Sequence, residues 1–151
     1  MLDDLDRRLL RRLQADPGQS MAALAEAAAT TPAVASRRLA RLRETGVLRG
    51  QQAVIDWRAL GYAVEVSLRL TLDKTQGRAF DEFIQEARKV PEVLEIQTFI
   101  GRVDVRLSVI ARDMGHYQQV YRQRILTLPH IADIEALMHV ARIKDDEALP
   151  L

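Results

Sequence analysis

From Val64 to Leu72 apolar and polar residues alternate without a break, with Val64, Val66, Leu68, Leu70 and Leu72 set against Glu65, Ser67, Arg69 and Thr71. A period of two puts one set on each face of a strand, so this stretch predicts a half-buried β-strand. The residues before it follow another rule. Leu5, Leu9 and Leu13 recur every fourth position, the spacing of one helix face. A chain of 151 residues whose period changes partway along is expected to hold a helical part and then a sheet-bearing part.

The helical part reads as three short helices. Asp3 is placed to cap the first, Asp4 and Asp6 suit its positive end, and Asp16-Pro17-Gly18 stops it. Ser20 caps a second, running to about Ala28, and Ala29-Thr30 makes a tight turn. Thr31 then caps a third, with Pro32 at the first helical position, where its missing N–H costs nothing, and Gly46 beyond the end. After the alternating strand, Phe80, Phe83, Ile84, Ala87 and Val90 return to helical spacing. Val93 to Ile100 reads as a strand, Val105, Leu107 and Val109 mark another, and Met114, Tyr117, Tyr121, Ile125 and Leu128 mark a further helix. Ile131 to about Arg142 supplies the last strand. Pro91-Glu92-Val93-Leu94-Glu95-Ile96 is echoed by Pro129-His130-Ile131-Ala132-Asp133-Ile134, a weak internal repeat of two βαβ-like units.

The expected fold is therefore α+β: a three-helix helix-turn-helix domain over residues 1–48, then a ferredoxin-like βαββαβ domain over 62–151. Residues 49–61 form a connector, with a short strand at Val54-Ile55 and a turn over 56–61; it lacks the Gly/Ser/Pro enrichment of a loose linker. Both helices of the second domain are expected on one face of the sheet, leaving the other free for assembly or a ligand.

Composition narrows the chemistry. There is no cysteine, which excludes disulfides, thiolate metal sites and a cysteine nucleophile. His116, His130 and His139 have no metal-ligand spacing, and neither a phosphate-cradling Gly-rich loop nor a Gly-x-Ser-x-Gly elbow occurs, so no metal or cofactor is expected. The acidic Met1–Asp6 opening is unlike a signal peptide and no apolar run spans a membrane, so the expected location is the cytoplasm. The net charge is +1, but the first fifty residues carry nine arginines against six acidic residues. An arginine surplus on a helix-turn-helix points to double-stranded DNA.

The second helix of such a pair enters the major groove. On the helix that begins at Thr31, Ala35, Leu39 and Leu42 point inward, while Ala33, Arg37, Ala40 and Arg41 point out, flanked by Ser36 and Arg43 on one side and Val34 on the other. Small Ala33 and Ala40 allow close approach, and Ser36 reaches bases or phosphates. Arg37 suits a guanine edge, and Arg41 and Arg43 suit phosphates. An ordinary solvated face of Arg37, Arg38, Arg41 and Arg43 is the competing reading. The tight turn and the Thr31-Pro32 start favour DNA, with Thr31, Ala33, Val34, Ser36, Arg37, Arg38, Arg41 and Arg43 as the contact set. For Arg7, Arg8, Arg11 and Arg12, phosphate contact and plain surface stay open.

Three stretches carry a family resemblance: Leu2-Asp3-Asp4-Leu5-Asp6-Arg7-Arg8-Leu9-Leu10; Thr31-Pro32 with Arg38-Leu39-Ala40-Arg41-Leu42 and Gly46-Val47-Leu48; and Gly101-Arg102-Val103-Asp104 between two strands. Over about residues 2–145 the chain resembles the Lrp/AsnC regulators. The resemblance implies dimers formed through the C-terminal domain, tetramers or octameric rings built from them, and a small effector, usually an amino acid, near the loop of Gly101, Arg102, Val103 and Asp104. Two features depart from the family. Arg102 stands where an aspartate is usual, and Ile134 and Ala136 replace a Thr-x-Thr pair on the last strand. Altered or absent effector binding is therefore expected rather than ordinary amino-acid sensing. Arg102 either attracts an anionic effector or pairs with Asp104 or Glu135. The architecture is also similar to that of sirohaem decarboxylases, with Arg102, Arg106 and His139 as candidates to hold tetrapyrrole carboxylates. The arginine-bearing third helix argues against that enzyme.

Overall fold

The computed structural model describes residues 1–145 and 148–151. The chain divides into two compact units, one of residues 1–54 with 144–151 and one of residues 55–143. Each is described separately.

The first unit holds α1 (Asp4–Ala15), α2 (Met21–Ala27) and α3 (Pro32–Glu44). All three begin on the expected caps: Asp3, Ser20 and Thr31 accept from backbone N–H groups three residues on. Their inward faces meet in one core of Leu9, Leu13, Leu24, Ala25, Ala28, Ala35, Leu39 and Leu42. The α2–α3 turn is tight because Ala29 takes a left-handed backbone (φ 53°), and the Thr30 N–H reaches the Ala25 carbonyl at 2.9 Å. At the end of α3, Gly46 is also left-handed (φ 73°). That turn lets the Leu48 N–H close on the Leu42 carbonyl at 2.9 Å, the usual role of glycine just past a helix end.

The second unit is a four-stranded antiparallel sheet of β1 (Val64–Leu72), β2 (Val93–Thr98), β3 (Val105–Ala111) and β4 (Ile131–Met138), in the order β2-β3-β1-β4. Helices α4 (Ala79–Ala87) and α5 (Met114–Val120) supply the crossovers. One register fixes which side is dry: Val66, Leu68 and Leu70 of β1 face Val109, Leu107 and Val105 of β3. These six join Phe83, Ala87, Tyr117, Val120 and Ile125 in a single buried cluster. This is the expected βαββαβ arrangement.

Four local expectations are corrected. Val54-Ile55 forms no strand; both side chains are exposed and no described strand pairs with them. The strands expected to reach Ile100 and Arg142 stop at Thr98 and Met138. The second crossover helix is not uniform, because α5 passes into a wider π-turn over Tyr121–Ile125. Finally, residues 144–145 and 148–151, expected with the sheet domain, group with the helical unit. There Gln14 clamps the Leu149 backbone from both sides, Nε2 donating to its carbonyl at 2.7 Å and Oε1 accepting from its N–H at 3.0 Å. Arg11 Nε donates to the Leu151 carbonyl at 2.7 Å.

Candidate nucleic-acid interface

Helix α3 divides along its length as its sequence predicts. Ala35, Leu39 and Leu42 are buried, while Ala33, Ser36, Arg37, Ala40, Arg41 and Arg43 are exposed and Val34 and Arg38 are half-buried. Thr31 is exposed at the N-terminus, its Oγ1 accepting from the Val34 N–H at 3.3 Å. Its capping role aims the first turn outward, where free N–H groups favour a phosphate.

The four arginines of this helix are not equivalent. Arg38 pairs with Asp3 and, at 3.3 Å, with Asp6, and Arg41 pairs with the other oxygen of Asp6. Asp6 is fully buried. Its carboxylate also accepts from the Asp3 N–H at 3.1 Å while Asp3 accepts from the Asp6 N–H at 2.9 Å, a reciprocal cap on α1. The Asp6 N–H and the Arg38 guanidinium hold the Asp3 carboxyl below its ordinary value, and Asp3 in turn raises Arg38. Arg38 and Arg41 thus lock α3 to α1. Arg37 and Arg43 lie outside this network, with no ion pair among the described residues. Sequence reasoning missed Asp6, which it assigned to the helix dipole. The signal was present: Asp3-x-x-Asp6 on α1 matches Arg38-x-x-Arg41 on α3 in spacing. Of the first-helix arginines, Arg8 is held by Asp4 at 2.8 Å.

In the second unit the Gly101–Asp104 loop joins β2 to β3. Asp104 is buried, accepting from the Leu72 N–H at 2.8 Å and from Lys74 Nζ at 2.8 Å. Burial alone would raise its carboxyl; Lys74 and the Leu72 N–H outweigh that and lower it. Arg102 is exposed, and its carbonyl accepts from Thr71 Oγ1 at 3.1 Å. Its expected pairing with Asp104 or Glu135 is not formed within the chain, because Lys74 occupies Asp104 and no Arg102 ion pair exists among the described residues. Gly101 takes φ 154° and Val103 is half-buried. Ile134 packs against the sheet core and Ala136 is exposed, so this pair offers no hydroxyl to a ligand.

The histidines each sit beside a carboxylate rather than one another. His130 contacts Glu82 at 2.6 Å, His116 approaches Glu92 at 3.7 Å, and His139 approaches Glu65 at 3.7 Å. Glu65 is buried and also faces Arg58 at 3.5 Å and Arg142. Among the described residues no cluster of His, Cys, Asp and Glu could hold a metal, and no helix is long and apolar enough to cross a membrane.

A helix-turn-helix with an outward arginine face, followed by a βαββαβ sheet, defines a DNA-binding regulator with an appended ligand-binding or assembly domain. The comparisons agree. Residues 2–49 match a winged helix-turn-helix DNA-binding family and residues 65–149 match the Lrp/AsnC ligand binding domain. The chain belongs to the Lrp/AsnC family of transcriptional regulators. It is 30% identical to the DNA-binding transcriptional activator DecR of Escherichia coli K12 over 151 residues, covering 100% of this chain and 99% of that one. It is also 30% identical to the HTH-type transcriptional regulator Zrp of Zymomonas mobilis, covering 99% and 97%. Among solved structures, the complex of a Neisseria meningitidis transcriptional regulator (NMB0573) with L-Met superposes with a TM-score of 0.92 at 25% identity, covering 99% of this chain and 97% of that one. These matches are to DNA-binding transcriptional regulators and not to enzymes, and the sirohaem-decarboxylase alternative is set aside.

Proposed function

We propose that this regulator reads DNA through the first three turns of α3, with Arg37 on a base edge, Ser36 on a base or the backbone, Arg43 on the backbone, and Ala33, Val34 and Ala40 setting the close approach. Arg38 and Arg41 present their remaining N–H groups to phosphates while anchored on Asp3 and Asp6. The observation that carries this reading is that Arg37 is exposed beside two small exposed residues, on a helix fixed from behind by a buried carboxylate. An anchored helix loses little freedom on binding, so its contacts translate into affinity.

The protein works as a homodimer, two inverted copies of α3 matching half-sites about one helical turn apart or a multiple of it. Dimers assemble further into tetramers or octamers in the cytoplasm. A second copy covers apolar side chains that one chain leaves bare, including Ile55, Ile100 and Val140. A small effector acts through the domain bearing the Gly101–Asp104 loop. The L-Met complex of the Neisseria relative supports an effector in this architecture, whereas Arg102, Ile134 and Ala136 favour a different one here.

Fluorescence anisotropy on the protein's own promoter fragment tests the reading. Arg37→Ala is expected to cost about 1–3 kcal/mol and to relax base preference at one position. Arg43→Ala weakens all sequences alike and lowers the salt slope by about one. Full retention of affinity by both variants would show that another face meets DNA.

A further inference from the structure

The helical unit carries a groove that DNA binding does not use, and a segment of the same chain sits in it. Gln14, near the end of α1, reads the Leu149 backbone twice, at its carbonyl (2.7 Å) and at its N–H (3.0 Å). A side-chain amide matched in this way to one residue's N–H and C=O does the work of a neighbouring strand. Arg11 Nε holds the Leu151 carbonyl at 2.7 Å, and the Leu151 N–H turns back on the Leu149 carbonyl at 2.9 Å. Pro150, between them, has no N–H to leave unpaired and a fixed φ, so the segment gives up little freedom on seating.

The seat is specific but shallow. Leu149 and Leu151 line a cavity of about 320 Å³ together with Leu10, Leu13, Val47 and Leu48, yet Leu149 stays 63% exposed. Gln51 Nε2, donating to the Pro17 carbonyl at 3.1 Å, fixes another part of the wall. The buried core of the unit takes no side chain from residues 149–151, so the segment attaches to the outside of a core formed without it. Residues 1–54 and 144–151 nevertheless fall in one compact unit, so the chain crosses between the two units twice, after Val54 and before Lys144. The helix that is gripped is also the one whose cap and first turn, Asp3 and Asp6, anchor α3.

We infer that residues 149–151 are a latch: seated in the α1 groove of their own chain, they give the helix-turn-helix unit a second covalent tether, and that tether sets the half-site spacing the dimer accepts. A body on one connection samples orientations that a body on two cannot, and freedom already lost before binding is not lost again on DNA. The inference rests on the reading of α3 as the DNA-contacting helix of a dimer and adds what restrains it. Because Gln14 engages only main-chain groups of Leu149, its loss opens the latch as surely as loss of the segment does.

Fluorescence anisotropy on a promoter fragment with mapped half-sites, and on the same fragment with about 5 bp (half a helical turn) inserted between them, tests this. The full-length protein is compared with Gln14→Met and with a chain ending at Ala148. The wild type should bind the lengthened site roughly tenfold more weakly than the native one, and both variants should lose most of that discrimination. Thermal melting and light scattering should be unchanged in Gln14→Met, because the helical core does not include the groove contact. Free acetyl-Ala-Leu-Pro-Leu added to the shortened chain should leave the spacing preference lost, because it fills the groove without supplying a tether. The chain has no cysteine, so Val47→Cys with Leu149→Cys, treated with a short bismaleimide, identifies the groove that each segment fills. A crosslink within one chain on a denaturing gel is expected. Four results would each overturn the inference: an unchanged spacing preference in Gln14→Met, its restoration by the free peptide, a crosslink joining two chains, or early melting or an altered oligomer size in Gln14→Met. Wild-type promoter binding that both variants reproduce at both spacings refutes this inference alone. No promoter binding by the wild type refutes the regulator reading, and this inference with it.

Discussion

Replacing Asp6 by alanine should unfold the helix-turn-helix unit far more readily than a change on the first turn of an ordinary surface helix. The side chain is fully buried and its two oxygens receive the Asp3 N–H, Arg38 and Arg41. Removing one partner of a buried ion pair costs about 3–5 kcal/mol. Here the arginines are partly exposed, at 29% and 47% of their side-chain area, so water recovers part of that loss. The lower end of the range applies to the pair. Loss of half the reciprocal cap adds a fraction of the 0.5–2 kcal/mol that caps contribute. A total of about 3 kcal/mol corresponds to a fall of roughly 12–24 °C in the melting temperature of a domain this small. Thermal unfolding followed at 222 nm measures it. In Asp6→Asn, which retains the shape and one acceptor oxygen, about half the loss is expected. A double-mutant cycle with Arg41→Met isolates the pair, and a coupling of at least 1 kcal/mol is expected. A melting temperature within about 3 °C of wild type for Asp6→Ala would refute the idea that this carboxylate anchors α3.

Further outcomes follow from single residues. Asp104→Ala leaves the Leu72 N–H without its acceptor and should cost about 1–3 kcal/mol in denaturant unfolding, together with loosened hydrogen exchange at Phe99 and Leu72. Ala29→Gly removes a left-handed strain of about 1–2 kcal/mol against an entropy cost of 0.4–1, for a net gain of about 0.5–1 kcal/mol in urea midpoint terms. Leu39→Ala empties the centre of the helical core and should cost 2–5 kcal/mol by the same assay. Asp3 and Asp104 both have folded-state values below their ordinary ones. Their contribution is therefore present above the unfolded carboxyl value near 4 and is lost as pH falls through the depressed folded values. Unfolding titrations should show stability dropping below about pH 4, and Asp104→Asn should flatten part of that drop.

Periodicity and cap chemistry carried most of the fold. Asp3, Ser20 and Thr31 each cap the helix their sequence context indicated, and the alternation at Val64–Leu72 placed β1. The misses share a cause, since a one-dimensional pattern does not report partners. Val54-Ile55 has strand-forming residues but no described strand to pair with. Glu65 and Ser67 belong to the polar set of β1 yet are buried, because β1 is flanked by strands on both sides and Glu65 is further covered by Arg58 and Arg142. The spacing of Tyr117, Tyr121 and Ile125 suits a regular helix, and the π-turn that widens it leaves no mark on that spacing. At the DNA face, burial separated α3 correctly into inner and outer residues. What the pattern could not show was which arginines are already paired: Arg38 is held by Asp3 and Asp6, whereas Arg37 has no ion pair among the described residues.

Methylation interference on the bound promoter fragment examines the recognition face most directly. A methyl group at guanine N7 blocks the major-groove edge that Arg37 is proposed to contact. One guanine per half-site should block binding of the wild-type protein when methylated and should cease to matter to Arg37→Ala, while other interfering positions persist. Interference confined to minor-groove adenine N3, or an identical guanine pattern for both proteins, would contradict the placement of α3 in the major groove.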